Sequence, residues 1–278
     1  MYLSRFQNEK LLYQHVLDEN STSELNYKAH SHSTYEILFI VNGNVSFVSE
    51  GVKYKLLKHD LLLIPPNNFH NIQIESKRDY ERFSLAFTPS IAKNIRFSLA
   101  NETRSTILYR LKKTNELENT FQKLEYYTSV LTDDAFFDVS PALLKDLCYY
   151  LSTNKQHITF SQDTHYSPLL VNILNYINEN LFTIKHVTEI NSALFISYSY
   201  LIKLFKNQFN TSPKKYIMEK RLIEAQKLIS QGEKPSVVFE KCGFESYNVF
   251  YRSYCSYFGY PPSQQTAHNV IQDIHSFN

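Results

Sequence analysis

Residues 184–258 carry one pattern twice, and that repeat constrains the fold more than any other feature. Each copy reads as a short helix, a tight turn and a second helix that starts on serine. The first copy runs from Val187 through a turn at residues 194–196 into Ser197-Tyr-Ser-Tyr-Leu-Ile-Lys-Leu-Phe-Lys206. The second runs from Pro235 through Gly243-Phe244 into Ser246-Tyr-Asn-Val-Phe-Tyr-Arg-Ser-Tyr254. Between them Ser212-Pro213 opens a longer helix, with Tyr216, Arg221, Ala225 and Leu228 at helical spacing. Gly232 closes it, as glycine does just past a helix end.

The rest of the chain must supply something else, because 278 residues suit two domains. A hydrophobic share of 43% against 20% charged residues describes a globular chain with ample core. No apolar run reaches membrane-span length and no leader is legible, so a cytoplasmic protein without a membrane partner is expected. Cys148, Cys242 and Cys255 are far apart and form no C-x-x-C pair, which favours reduced, buried thiols. Net charge is only +2, yet residues 196–221 hold six basic side chains and one acidic. A locally basic helical stretch suits a polyanionic partner, although such a run is more often a solvated face.

Residues 1–28 read as a lead-in strand or two. From His30 to about Thr88 the pattern becomes short apolar runs, at 36–41, 45–49, 52–56, 61–64, 71–75 and 83–87. Asn42-Gly43-Asn44 is a hairpin turn and Pro65-Pro66-Asn67-Asn68 a second break. Many short strands at close spacing predict a β-barrel or sandwich. Past Pro89 the period lengthens, predicting amphipathic helices over 116–131 and 141–151. Residues 152–167 are polar, so the domains are expected at 1–152 and 168–278, with a linker over 153–167. Beyond it helices are expected at 168–180, 184–193, 197–209, 213–230, 235–242 and 246–258, with a short one near 262–272.

In a helix-turn-helix unit the second helix lies in the major groove while the first braces it across the backbone. On the helix from Ser197, residues Leu201, Leu204 and Phe205 face inward, leaving Tyr198, Ser199, Ile202, Lys203 and Lys206 outward. On the helix from Ser246, Phe250 and Tyr254 face inward and Tyr247, Asn248, Tyr251 and Arg252 outward. Asn can bridge adenine and Arg guanine, while Tyr and Ile offer apolar contact to thymine methyls. Lys206, Lys214 and Lys215 are placed to grip phosphate. One such unit could be an ordinary helical surface; two in tandem point to double-stranded DNA.

These residues resemble the DNA-binding domain of AraC/XylS-type transcriptional regulators. The resemblance rests on Ser197-x-x-Tyr-Leu-x-Lys-x-Phe-Lys206, Ser212-Pro213-x-x-Tyr216, Arg221-Leu222-x-x-Ala225, Gly243-Phe244-Glu-Ser246, Phe250-x-Arg252 and Tyr260-Pro261-Pro262. Phe195 stands at a turn where that family often has glycine. A second constellation, His30-x-His32-x₃-Glu36 followed by Pro65-x₄-His70, resembles cupin motifs. It could offer three nitrogens and an oxygen to a divalent metal, or simply line a barrel mouth. No cofactor and no bound metal are expected, and the set is taken as an effector pocket.

The expected fold is therefore α+β in two domains. An N-terminal cupin-like β-barrel with flanking helices precedes an all-α domain of two helix-turn-helix units. The resemblance implies a DNA-binding regulator, not an enzyme, controlled by a small-molecule or peptide effector. It further implies a homodimer formed through the helices over 116–131 and 141–151, with RNA polymerase as a further partner. Two alternatives stay open: a metal-dependent cupin enzyme with a helical appendage, and a regulator controlled by a protein bound to the barrel.

Overall fold

Several strands of the N-terminal region are apolar on both faces because both faces are covered. The computed structural model describes residues 1–21, 30–50, 52–94, 106–111, 114–153, 168–209 and 211–264. Strands β1 (Tyr2–Gln7), β2 (Leu11–Ser21), β3 (Tyr35–Asn42), β4 (Val45–Ser49), β5 (Val52–Lys55), β6 (Leu61–Ile64), β7 (His70–Ile74) and β8 (Arg78–Phe87) come first. They are followed by α1 (Pro89–Asn94), β9 (Ile107–Tyr109), α2 (Asn115–Val130) and α3 (Asp133–Thr153). One sheet has the order β1-β2-β8-β3-β6-β9 and the other β5-β4-β7.

Successive strand side chains point to opposite faces, and here each face has its own core. Ile37 and Phe39 of β3, with Leu61 and Leu63 of β6, meet the helices α2 and α3. Leu38, Ile40, Leu62 and Ile64 on the opposite face meet Val45, Phe47, Ile72 and Ile74 of the smaller sheet. The result is three layers, helix on sheet on sheet.

This arrangement corrects the expected cupin-like barrel. A barrel closes only when every strand is paired on both sides. Among the described residues, β1 and β9 end one sheet while β5 and β7 end the other, so the sheets stay open. Strand-length apolar runs reveal pairing partners poorly, and closure is a property of pairing. The N-terminal region is therefore two open sheets and not a cupin-like barrel.

The C-terminal region is helical among the described residues after 167: α4 (Pro168–Glu179), α5 (Thr188–Leu194), α6 (Tyr198–Phe209), α7 (Pro213–Ser230), α8 (Pro235–Lys241) and α9 (Tyr247–Phe258). A 3₁₀ turn spans Pro262–Gln264. The two-domain architecture with a helix-turn-helix region at the C-terminal end is thus present. Residues 154–167 of the expected linker and 265–272 of the expected last helix lie outside the described residues.

Two helix boundaries differ from expectation for local reasons. Helix α3 starts at Asp133 and runs through Pro141. Proline cannot donate to the carbonyl four residues back, and the Ser140 hydroxyl donates to that Phe137 carbonyl instead, at 3.3 Å. Helix α5 starts at Thr188 and not at 184. The Glu189 carboxylate accepts from the N–H groups of Lys185 (2.9 Å) and His186 (2.7 Å), fixing residues 185 and 186 as its lead-in.

The helix layer is held by aromatic stacking. Phe121 of α2 lies parallel to Phe39, with centroids 5.0 Å apart and 7° between planes, and 5.0 Å from Phe83. Phe121→Ala should lower unfolding stability by about 3–5 kcal/mol, because the removed ring leaves a cavity between rigid layers. Urea titration followed by circular dichroism checks this, and a loss under about 1 kcal/mol would show that α2 does not anchor the sheet.

Candidate nucleic-acid interface and effector site

Three serines start the helices that build the interface. Ser197 Oγ accepts from the Tyr200 N–H at 3.2 Å, Ser212 Oγ from Lys215 at 3.2 Å and Ser246 Oγ from Val249 at 3.4 Å. Such caps satisfy backbone donors at a helix start that have no partner within the helix. Leu201, Phe205 and Phe209 then fall on one buried face of α6. Phe250, Tyr254 and Phe258 do the same on α9. The first core is completed by Tyr216 and Ile217 of α7, the second by Leu222, Ile223 and Ala225 of the same helix.

The opposite faces of α6 and α9 are left to solvent. Tyr198 is 53% exposed, Tyr247 37% and Tyr251 41%. Ser199, Lys203, Lys206, Asn248 and Arg252 are exposed too, as are Lys214 and Lys215 at the start of α7. Ile202 differs, being half-buried.

Arg221 was legible in the motif but not in its role. Its guanidinium donates to the carbonyls of Leu181 (2.8 Å), Ile184 and Gly243 (2.8 Å). One side chain on α7 therefore ties the segment entering the first unit to the turn of the second. That turn needs glycine: Gly243 has φ +73°, and a Cβ there would sit 2.3 Å from the Phe182 carbonyl oxygen. In the first unit the equivalent strain is accepted, since Phe195 has φ +53° and is 95% exposed.

Between α7 and α9 lies a cleft lined by Lys215, Glu219, Arg252 and Tyr257. Burial pushes the Glu219 carboxyl up to about 7, and the Lys215 ammonium 3.8 Å away only partly offsets it.

The second candidate site sits between the two sheets at one end. His32 Nδ1 is 3.0 Å from the Thr34 carbonyl oxygen and His70 Nδ1 is 2.8 Å from that of Asn68. A carbonyl only accepts, so each Nδ1 carries a proton and each ring is held with Nε2 turned inward. Those Nε2 atoms lie 3.1 Å and 3.5 Å from Glu36 Oε2. The Ser84 hydroxyl donates to the other Glu36 oxygen at 2.7 Å. Burial alone would raise the Glu36 carboxyl; hydrogen bonds from His32 and His70, and their charge, outweigh it and hold it well below the ordinary carboxylate range. His30 joins through a backbone bridge to His70, and one nitrogen each of His30, His32 and His70 fall within 4.8 Å of one another. Imidazoles beside a carboxylate could hold a divalent ion or orient a small polar molecule. All four expected pocket residues are thus brought together.

Two family models match the chain. An AraC-like ligand binding domain covers residues 13–125 and a helix-turn-helix domain covers 191–267. The uncharacterized HTH-type transcriptional regulator YobQ of Bacillus subtilis is 25% identical over 256 residues, spanning 90% of this chain and 92% of that protein. The raffinose operon transcriptional regulatory protein RafR of Pediococcus pentosaceus is 22% identical, covering 83% of each. The probable transcriptional regulator LumQ of Photobacterium leiognathi is 35% identical over 96 residues, 34% of this chain and 39% of that protein. Among the described residues no helix is long and apolar enough to cross a membrane.

Two outcomes test the interface as built. Gly243→Ala should cost more stability than Gly259→Ala. Both have positive φ, worth about 1–2 kcal/mol for an added Cβ, but only Gly243 also meets backbone while nothing lies within 4 Å at Gly259. Equal melting shifts would show that the Phe182 contact yields freely. A raised carboxyl means that the folded state binds the Glu219 proton more tightly than the unfolded state does. Stability should therefore fall as pH rises from the ordinary value of 4.5 through about 7. Glu219→Gln should flatten that fall, read from urea midpoints at about pH 5 and about pH 8.

The two matched domains, with the relatives that span most of the chain, support one coarse description: a DNA-binding transcriptional regulator function of the AraC type, with an effector-sensing N-terminal domain and a helix-turn-helix domain, in a non-enzymatic role.

Proposed function

We propose that α6 and α9 enter successive major grooves on one face of duplex DNA, about one helical turn apart. The observation that carries this is the pair of exposed faces led by Tyr198 and Tyr247, each backed by a buried face packed on the single helix α7. Tyr198, Ser199, Ile202 and Lys203 read the first groove; Tyr247, Asn248, Tyr251 and Arg252 read the second. Lys206, Lys214 and Lys215 bind phosphate, with the helix N-termini adding backbone donors. The effector is a small polar molecule or peptide group seated among His30, His32, Glu36 and His70. The working division is 1–152 for sensing and 168–278 for DNA, joined by 153–167. Tyr126 and Val130 of α2 and Tyr149 of α3 are exposed, which supports pairing of two chains through these helices. RNA polymerase is the further partner of the DNA-bound form.

Genomic footprinting of the tagged protein supplies duplexes on which this is tested. Arg252→Ala should relax preference at one base position by about 1–3 kcal/mol, whereas Lys214→Ala should weaken all sequences and reduce the salt slope by about one. Equal losses on cognate and scrambled duplex for Arg252→Ala would remove it from base reading.

A further inference from the structure

The N-terminal domain touches the helix that both DNA-reading units share. Glu50, in the turn between β4 and β5, accepts from the Tyr216 hydroxyl at 2.8 Å and from Lys220 Nζ at 2.8 Å. It also accepts from the backbone N–H of Phe69 at 2.7 Å. The fully buried Phe69 ring inserts edge-on against Tyr216 (4.8 Å between centroids) and Phe209 (6.0 Å), so an N-terminal side chain completes the core of the first unit. Farther along, Asn67 Nδ2 donates to Glu224 Oε2 at 3.1 Å and Ser33 Oγ to Gln226 Oε1 at 3.1 Å. Gln226 in turn donates to the Tyr260 hydroxyl, beside the second unit's core, at 3.0 Å.

Tyr216, Lys220 and Glu224 are four residues apart, so they form one stripe along α7. The stripe begins in the half of α7 that serves the first unit and ends in the half that serves the second. We infer that this edge of the N-terminal domain is a splint: docked along α7, it sets the angle between the two units and holds them ready for two grooves at once. The docked arrangement leaves Tyr198, Tyr247 and Tyr251 exposed, so the dock does not cover the proposed reading faces. This rests on the DNA-reading assignment above, and it adds what governs that assignment's geometry.

The full-length chain tests it by charge reversal at Glu50. Glu50→Lys sets two ammonium groups against each other across the dock. Amide exchange over residues 216–226 should quicken, and affinity for a footprinted two-groove duplex should fall about tenfold as preorganisation is lost. Affinity for a duplex carrying only one of the two grooves' sequences should change far less. Adding Lys220→Glu to Glu50→Lys restores an opposite-charge pair and should recover part of both losses, which misfolding of the single variant would not allow; the Tyr216 and Phe69 donors still lack the Glu50 carboxylate. Unchanged exchange over 216–226 in Glu50→Lys overturns the splint, as does unchanged or tighter binding to the two-groove duplex. A wild-type chain that binds no duplex overturns the DNA-reading assignment instead, and the exchange measurement still decides the dock.

Discussion

Helix α7 is asked to pack against three partners at once, and the rest of the C-terminal domain follows from how it divides its surface. Its N-terminal half gives Tyr216 and Ile217 to one core, and its C-terminal half gives Leu222, Ile223 and Ala225 to another. A third stripe meets the N-terminal domain. Polar side chains on such a helix become buried and must find partners. Lys220 finds Glu50 and Asn178 (2.8 Å each), and Gln226 finds Ser33 and Tyr260. Among the described residues Glu219 pairs with Lys215 at 3.8 Å, too loosely to offset the burial that pushes its carboxyl up.

Sharing one helix has a mechanical consequence. Two units built on separate helices could swing independently, each finding its own groove. Here the angle between them is limited by a rod of about 27 Å, at 1.5 Å per residue over its 18 residues. Arg221 reinforces the rod by joining carbonyls from both units. A bend in α7 that parts those carbonyls has to break charge-assisted hydrogen bonds, which contribute more than neutral ones.

The tandem units were legible because their signals are local. A serine cap, a positive-φ glycine and an apolar face at helical spacing all lie within a dozen residues of each other. Strand positions were legible for the same reason, as was the gathering of His30, His32, Glu36 and His70, whose approach depends on neighbouring strands. Closure of the sheets was not, since whether β1 meets β9 or β5 meets β7 depends on contacts remote in sequence. The dock was invisible too. Glu50 and Lys220 are 170 residues apart, and nothing in a lone glutamate in a β-turn marks its partner. Ile202 shows the same limit on a smaller scale: helical spacing sets it outward, yet its neighbours half-cover it.

The pocket and the dock are not separate features of the N-terminal domain. Ser33, which holds Gln226, follows His32 directly, and Phe69, which plugs the first unit, precedes His70. The Asn67 N–H donates to the His32 carbonyl at 2.8 Å, and His30 and His70 exchange backbone hydrogen bonds at 2.9 Å and 2.8 Å. The pocket side chains and the docking side chains therefore ride on the same few peptide units. A molecule that drew His32 and His70 together, or pushed them apart, would have to move Ser33 and Phe69 as well. Close-packed interiors transmit such shifts because they have little room to absorb them. With the Phe69 ring fully buried against Tyr216, a displacement at the histidines reaches α7 through one residue. On the proposed assignments, an effector seated at these histidines would need no long pathway to change how the two proposed DNA-reading faces are held.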